Sequence, residues 1–318
     1  MVVLITFMTG TTEARRAWRT PEIEEPTNRY FIHPLSWALV QRLARWGVHP
    51  NTVSLVGLAL GAGAAFAYYH YTSWLACVLG FLLMIGWHVM DGADGQLARL
   101  TGRTSEIGKV LDGLCDHGTF VLIYISLALA TYPSAGWIAW ALAVLAGVSH
   151  IVQASTYEFQ RQSYDYWVHD KQNARPVTPE AFRATLAEKR GLARWMGQLY
   201  LVYLRVQYGV GAADLELMRL LEEALEKFSY PQKARQMYRY VHRPLVRRWA
   251  IMSSNYRTLA IFIACLYGKP LAFFVFELVV LNLIFLLLVV QLRIRNRRFR
   301  LWLRRHLEGK PADAWLQR

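Results

Sequence analysis

Four aspartates fall in two clusters within one short stretch, DGADGQLARLTGRTSEIGKVLDGLCD, residues 91–116. Asp91 and Asp94 are three residues apart, and Asp112 and Asp116 are four apart, so each pair shares one face if its segment is helical. Two such helices set side by side would bring all four carboxylates to one point. Hard oxygen donors in that number suit Mg²⁺, Mn²⁺ or Ca²⁺ better than zinc. Four carboxylates can hold two ions, an arrangement that serves in-line displacement at phosphorus. Arg99 adds a planar fork donor matched to phosphate, and Gly92 and Gly95 leave room where a ligand approaches the backbone. The competing reading is a set of solvated loop acids or caps, which would need no helical phase.

The elements that must carry these residues are long and apolar. Both clusters abut hydrophobic runs, and a carboxylate at a membrane boundary is costly unless it is paired, solvated or bound to a cation. The chain is 54% hydrophobic and 14% aromatic. Segments of about 20 apolar residues can span a bilayer. Six are read here: Val53–His70, Ser73–Met90, the Asp112 helix continuing through Phe120–Tyr132, Trp137–Ser155, Ala250–Tyr267 and Leu271–Leu292. The fifth is interrupted at its start by Ser253, Ser254, Asn255 and Arg257. Thr101 and Gly102 read as the end of the first aspartate helix and Ser105 as a cap opening the second.

At residues 91–116 the chain resembles the CDP-alcohol phosphotransferases, also called CDP-alcohol phosphatidyltransferases. Their pattern, D-x2-D-G-x2-A-R-x8-G-x3-D-x3-D, is met at Asp91, Asp94, Gly95, Ala98, Arg99, Gly108, Asp112 and Asp116. The resemblance covers roughly residues 30–156 and, more loosely, 250–292. It implies a six-helix integral membrane enzyme that moves a phospho-alcohol group from a CDP-linked donor to a hydroxyl acceptor and releases CMP. By the same resemblance, Asp91, Asp94, Asp112 and Asp116 hold the metal ions, and Asp116 is also the general base. Gly95, Ala98, Arg99 and Ser105 match positions at the CDP moiety. The turn His49-Pro50-Asn51 resembles one lying near the nucleotide, although an N-cap role alone explains Asn51 about as well. Homodimers are common in the family.

The signature leaves the substrate pair open. CDP-diacylglycerol with a small polar alcohol is favoured. The alternative is a soluble donor, such as CDP-choline, CDP-ethanolamine or CDP-inositol, with a lipid or polyol acceptor. A phosphorylated acceptor needs a basic pocket, for which Arg257 and Arg161 are the candidates, and His88 and His150 could line the acceptor side. A carboxylate-lined ion carrier accounts for the acids but not for the glycines or for Arg99.

The expected fold is all-α: a polytopic membrane protein with six transmembrane helices, an N-terminal interfacial helix and a helical cytoplasmic insert. Residues 1–29 read as a flexible N-terminal segment without the charge and cleavage pattern of a secretory signal. Residues 30–156 carry the interfacial helix, spans one to four and the motif. Leu35, Leu39, Leu43 and Trp46 lie near one face of that first helix, opposite Arg42 and Arg45. Residues 157–249 form the insert, with helices expected over Pro179–Arg190, Trp195–Gln207 and Asp214–Phe228. Residues 250–292 hold spans five and six, and 293–318 are a basic tail.

Arg42, Arg45, Arg99, Arg103, Lys109 and the run RIRNRRFRLWLRRH fall on one side of a six-span topology. That side is cytoplasmic by the positive-inside rule, which puts the motif at the cytoplasmic face of the inner membrane. The net charge of +14 suits anionic membrane lipids, and no groove-reading motif points to nucleic acid. Cys77, Cys115 and Cys265 lack metal-site spacing and read as core residues.

Overall fold

The structure is a computed structural model, and it describes residues 20–104, 106–209, 213–227 and 231–308. Among the described residues every regular element is helical. A π-turn (Asn28–Ile32) leads into α1 (His33–Arg45), followed by α2 (Pro50–Tyr69), α3 (Trp74–Thr101), α4 (Glu106–Ala135) and α5 (Trp137–His169). Then come α6 (Pro179–Leu186), α7 (Gly191–Gly209), α8 (Leu215–Lys227), α9 (Pro231–Trp249), α10 (Ser254–Leu266), α11 (Leu271–Val275) and α12 (Asn282–Leu307).

Five segments are long and apolar enough to cross a membrane: Pro50–Tyr69, Trp74–Thr101, Val110–Ala135, Trp137–His169 and Leu271–Leu307. The molecule is a multi-pass membrane protein. The fifth expected span coincides with α10, whose 13 residues reach about 20 Å against a hydrocarbon core of about 30 Å. The chain divides into two compact units. One holds the described residues up to Ile151 with Ser253–Leu281, and the other holds Val152–Met252 with the described residues from Asn282.

In the first unit, α2 packs closely because it is lined with small residues. Gly57, Gly61 and Ala65 recur every four residues, which lets neighbouring backbones approach. A Cβ on Gly61 would come within 2.5 Å of the Thr119 side chain on α4. Tyr68, Met84, Trp87, Ile123, Tyr124, Ile261 and Phe273 form the core. Tight turns close the helices. Ser73 caps α3 through Ala76 N, and Gly102, at φ +66°, ends it in the left-handed conformation expected of a C-terminal glycine.

The polar residues at the start of α10 are not defects in a span. Glu25, 1% exposed, accepts hydrogen bonds from Ser253 Oγ at 2.6 Å and Asn255 Nδ2 at 2.8 Å. Thus Thr20 and Ile23 to Glu25, within the segment read from sequence as flexible, are buried, while Pro21, Pro26, Thr27 and Arg29 are exposed. Arg257, fully buried, donates to both oxygens of Glu277 at 3.0 Å, and Glu277 is fully buried as well. Arg257 was the first candidate for a phosphorylated acceptor; its guanidinium is instead committed to an internal carboxylate.

The second unit contains the three helices expected in the insert, as α6, α7 and α8. It also takes in the end of α5 and all of α12. Here α9 lies antiparallel to α12: Arg295 donates to Val241 O at 2.7 Å, and His242 Nε2 is 3.0 Å from Asn296 Oδ1. His242 is 1% exposed, and burial pushes its pKa down to about 4.

Two stability predictions follow from these buried polar groups. Glu277→Ala strands the Arg257 cation and should cost roughly 3–5 kcal/mol, whereas replacing both partners with apolar residues of similar volume should restore most of that. Denaturant titration in detergent micelles checks both. For His242 the folded pKa lies below the unfolded value, so the unfolded state binds the proton more readily. Stability should therefore fall as pH drops from about 6.5 toward 4, by up to roughly 3 kcal/mol, and His242→Gln should flatten that portion of the profile. A series of melting curves from pH 7.5 to 4 reads this out.

Candidate metal and nucleotide site

The site is built by α3 and α4. α3 runs past its apolar part without a break, so Asp91, Asp94, Gly95, Ala98 and Arg99 stand on the final turns of one helix. α4 begins with a polar turn and brings Asp112 and Asp116 one helical turn apart. One carboxylate oxygen from each of Asp91, Asp112 and Asp116 lies within 4.8 Å of the others. All three residues are half-buried.

Asp94 is placed differently. It is 5% exposed and accepts a hydrogen bond of 2.5 Å from Ser54 Oγ on α2. It is also within hydrogen-bonding reach of Asp112. Two carboxyl groups that close need a proton or a cation between them. The donor set therefore fits a divalent ion such as Mg²⁺ or Mn²⁺: oxygen donors only, several carboxylates, and one side of the cluster left half-exposed. Asp91, Asp112 and Asp116 would hold it, with Asp94 at its edge.

α1 braces this arrangement from the side of Asp91. Ser36 Oγ lies 2.8 Å from Val89 O and 2.9 Å from Ile32 O. A Cβ on Gly92 would sit 2.6 Å from Ser36 Oγ. Gly92 was read as leaving space for a ligand; its missing side chain is used by α1. Gly95 does face the site residues, because a Cβ there would come 3.3 Å from Arg99 Nη1. The glycine thus gives the guanidinium room to fold over the helix. Arg99 is exposed, and Ala98 beside it is half-buried.

Tyr30 and Phe31 in the π-turn before α1, Leu35 within it and Trp46 just after it are exposed, as are Arg42 and Arg45, while Trp37 and Val40 are buried against Val53, Ala93 and Leu97, with Leu39 and Leu43 packed on the same cluster. Exposed apolar side chains interspersed with arginines suit a helix lying at a bilayer surface.

The turn before α2 is capped by His49, whose Nδ1 accepts the Asn51 amide at 3.2 Å. Asn51 is therefore not the cap; it is half-buried in the first turn. Ser105 lies outside the described residues. His88 and His150 are buried and engaged: His88 Nε2 is 2.9 Å from Thr258 Oγ1, and His150 Nδ1 is 3.2 Å from Tyr124 Oη. Cys77, Cys115 and Cys265 are free and buried.

Ser54 is the functional contact that sequence reasoning missed. Its signal was faint: one hydroxyl four residues after Pro50, at the start of an apolar helix, where it could as well satisfy the Pro50 carbonyl, 3.4 Å away.

Comparison with known proteins agrees with this geometry. Residues 47–176 match the CDP-alcohol phosphatidyltransferase family model. The archaetidylinositol phosphate synthase of Pyrococcus horikoshii is 29% identical over 109 residues, 34% of this chain and 51% of that protein. Cholinephosphotransferase 1 of Xenopus laevis is 26% identical over 149 residues, 42% of this chain and 34% of that protein. The bifunctional IPC transferase and DIPP synthase of Thermococcus kodakarensis is 34% identical over 136 residues, covering 42% and 28%. The chain thus spans about half, or less, of the length of these relatives. Residues 47–176, which hold all four aspartates, are thus the part of this chain that is similar to the CDP-alcohol phosphatidyltransferase family.

Proposed function

We propose that this protein is a divalent-metal-dependent CDP-alcohol phosphotransferase that moves a phosphatidyl group from CDP-diacylglycerol to the hydroxyl of a small polar alcohol and releases CMP. The observation that carries the reading is the convergence of Asp91, Asp112 and Asp116 to within 4.8 Å at the end of two apolar helices. Bound divalent cations supply charge neutralisation for a pyrophosphate and for the leaving phosphate.

The chain's own groups do the rest. Asp116 takes the proton from the acceptor hydroxyl as that oxygen attacks phosphorus. Holding a base beside a cation lowers its basicity but fixes its position. Arg99, given room by Gly95, presents its fork to the nucleotide phosphates. Asp94, held by Ser54, keeps Asp112 in place.

A lipid-linked substrate fits the position of α1. This helix, entered through the exposed Tyr30 and Phe31 and carrying exposed Leu35, Arg42 and Arg45, rests on α3 at Gly92, next to Asp91, so a bilayer surface would lie level with the carboxylates. An acceptor without a phosphate fits the two candidate arginines: Arg257 is held by Glu277, and Arg161 lies 2.9 Å from Glu158. A second reading, transfer from a soluble CDP-alcohol to a lipid acceptor, is favoured by the likeness to cholinephosphotransferase 1. In both readings the site faces the cytoplasm.

CMP release by the purified chain, with Mg²⁺ or Mn²⁺ and a pooled set of acceptors, separates these readings. Release from CDP-diacylglycerol, abolished by Asp112→Ala, is the expected result. Release only from CDP-choline, CDP-ethanolamine or CDP-inositol would reverse which substrate is the lipid. A folded, metal-loaded protein that releases no CMP from any of these donors would end the assignment and return weight to an ion carrier. Within the same assay Asp116→Asn should lower turnover by about 10²–10⁴-fold while much of the donor binding survives, because a lost base affects the transition state more than the ground state. Unchanged turnover would remove Asp116 as the base.

A further inference from the structure

α9 and the second half of α12 carry positive charge far beyond anything the catalytic site uses. α9 has six basic residues and α12 seven, with no aspartate or glutamate between residues 231 and 249 or between 282 and 307. Part of this charge is neutralised within the unit. Arg300 lies 2.9 Å from Asp214, Arg304 pairs with Glu216, and Arg235 lies 2.9 Å from Asp170. Arg243, Arg247 and Arg248 on α9, with Arg293 and Arg297 on α12, are exposed.

The register of the two helices gives these five arginines a depth. α12 is apolar from Leu283 to Val290, meets its first polar side chain of that run at Gln291, and is densely basic from Arg293 onward. An apolar run ending in arginines marks the edge of the hydrocarbon core. Arg248 Nη1 donates to Gln291 Oε1 at 3.1 Å, so the end of α9 is level with that edge. From there the antiparallel contacts climb in step, His242 with Asn296 and then Tyr238 with Phe299. At 1.5 Å per residue, Arg243 lies about 7 Å outside the edge. The headgroup layer is about 5–8 Å deep on each side. Arg243, Arg247, Arg248 and Arg293 therefore fall within it, and Arg297, about 9 Å out, stands at its outer rim. Just inside, Trp249 packs edge-on against Phe285 at 5.6 Å and anchors the end of α9 in apolar surroundings.

We propose that this α9–α12 face is a docking site for acidic phospholipid headgroups, a girdle of arginines that holds anionic lipid of the surrounding leaflet against the protein. Exposed fork donors at headgroup depth are complementary to an anionic surface and less so to a neutral one. The site belongs to the second unit, uses none of the catalytic residues, and stands or falls apart from the enzymatic reading.

The test uses the full chain in mixed micelles of equimolar phosphatidylcholine and phosphatidylglycerol, with retained lipid measured by native mass spectrometry. Phosphatidylglycerol should be enriched at least about fivefold over phosphatidylcholine, and the enrichment should shrink with added salt. Arg243→Gln/Arg247→Gln/Arg248→Gln should bring the ratio near one, while the matching lysine triple should keep most of it. Arg183→Gln/Arg190→Gln/Arg194→Gln, which removes exposed charge from α6, α7 and the turn between them, should leave the ratio unchanged. If the first triple variant does not fold, Arg247→Gln and Arg248→Gln singly must each lower the enrichment. No enrichment in the wild type, or an equal loss from the α6–α7 variant, would overturn the proposal.

Discussion

Like-charge repulsion at one point governs this structure. Three carboxylates within 4.8 Å repel one another by about 3 kcal/mol per pair at an effective dielectric constant near 20. The groups stay together because α3 and α4 are held at close range by helices that cannot separate without losing their own packing. α2 contributes Gly61 against Thr119 and Ser54 against Asp94, and α1 contributes Ser36 against Gly92. That repulsion would favour a divalent ion, which relieves it more fully than a proton shared by Asp94 and Asp112, so part of the binding energy for such an ion would already be held in the scaffold.

That logic explains which residues were legible. The aspartates, Gly95, Ala98 and Arg99 stand in a fixed frame set by helical periodicity, so their spacing announced a shared site before any coordinates. Gly102 could be read for the same kind of reason: a left-handed residue at a helix end has few alternatives to glycine. The partners of these residues come from distant parts of the chain and leave no local trace. Ser54 could have been a helix-start serine. Gly92 looks the same in sequence whether a ligand or a neighbouring helix fills the space beside it. Asn51 and His49 compete for one cap, and only the fold shows that the histidine ring nitrogen takes it.

The polar residues inside apolar segments were the hardest to read, because a buried charge means opposite things depending on its partner. Ser253, Asn255 and Arg257 weakened the case for a span in the sequence. In the structure each has a buried acid: Glu25 for the first two, Glu277 for the third. Glu25 is 230 residues away from Asn255 in sequence, and no pattern search over a helix window could have paired them. The short α10 is tolerable for the same reason, since its polar start is satisfied by protein groups and need not reach water.

A division of labour then follows from where charge is placed. Negative charge is concentrated at the ends of α3 and α4, held by close packing and open on one side, which suits cations and, through them, phosphates. Positive charge is concentrated on α9 and α12, spread along exposed faces and screened at its outer end by Asp214 and Glu216. Anionic headgroups at the depth set by Gln291 would satisfy those arginines locally.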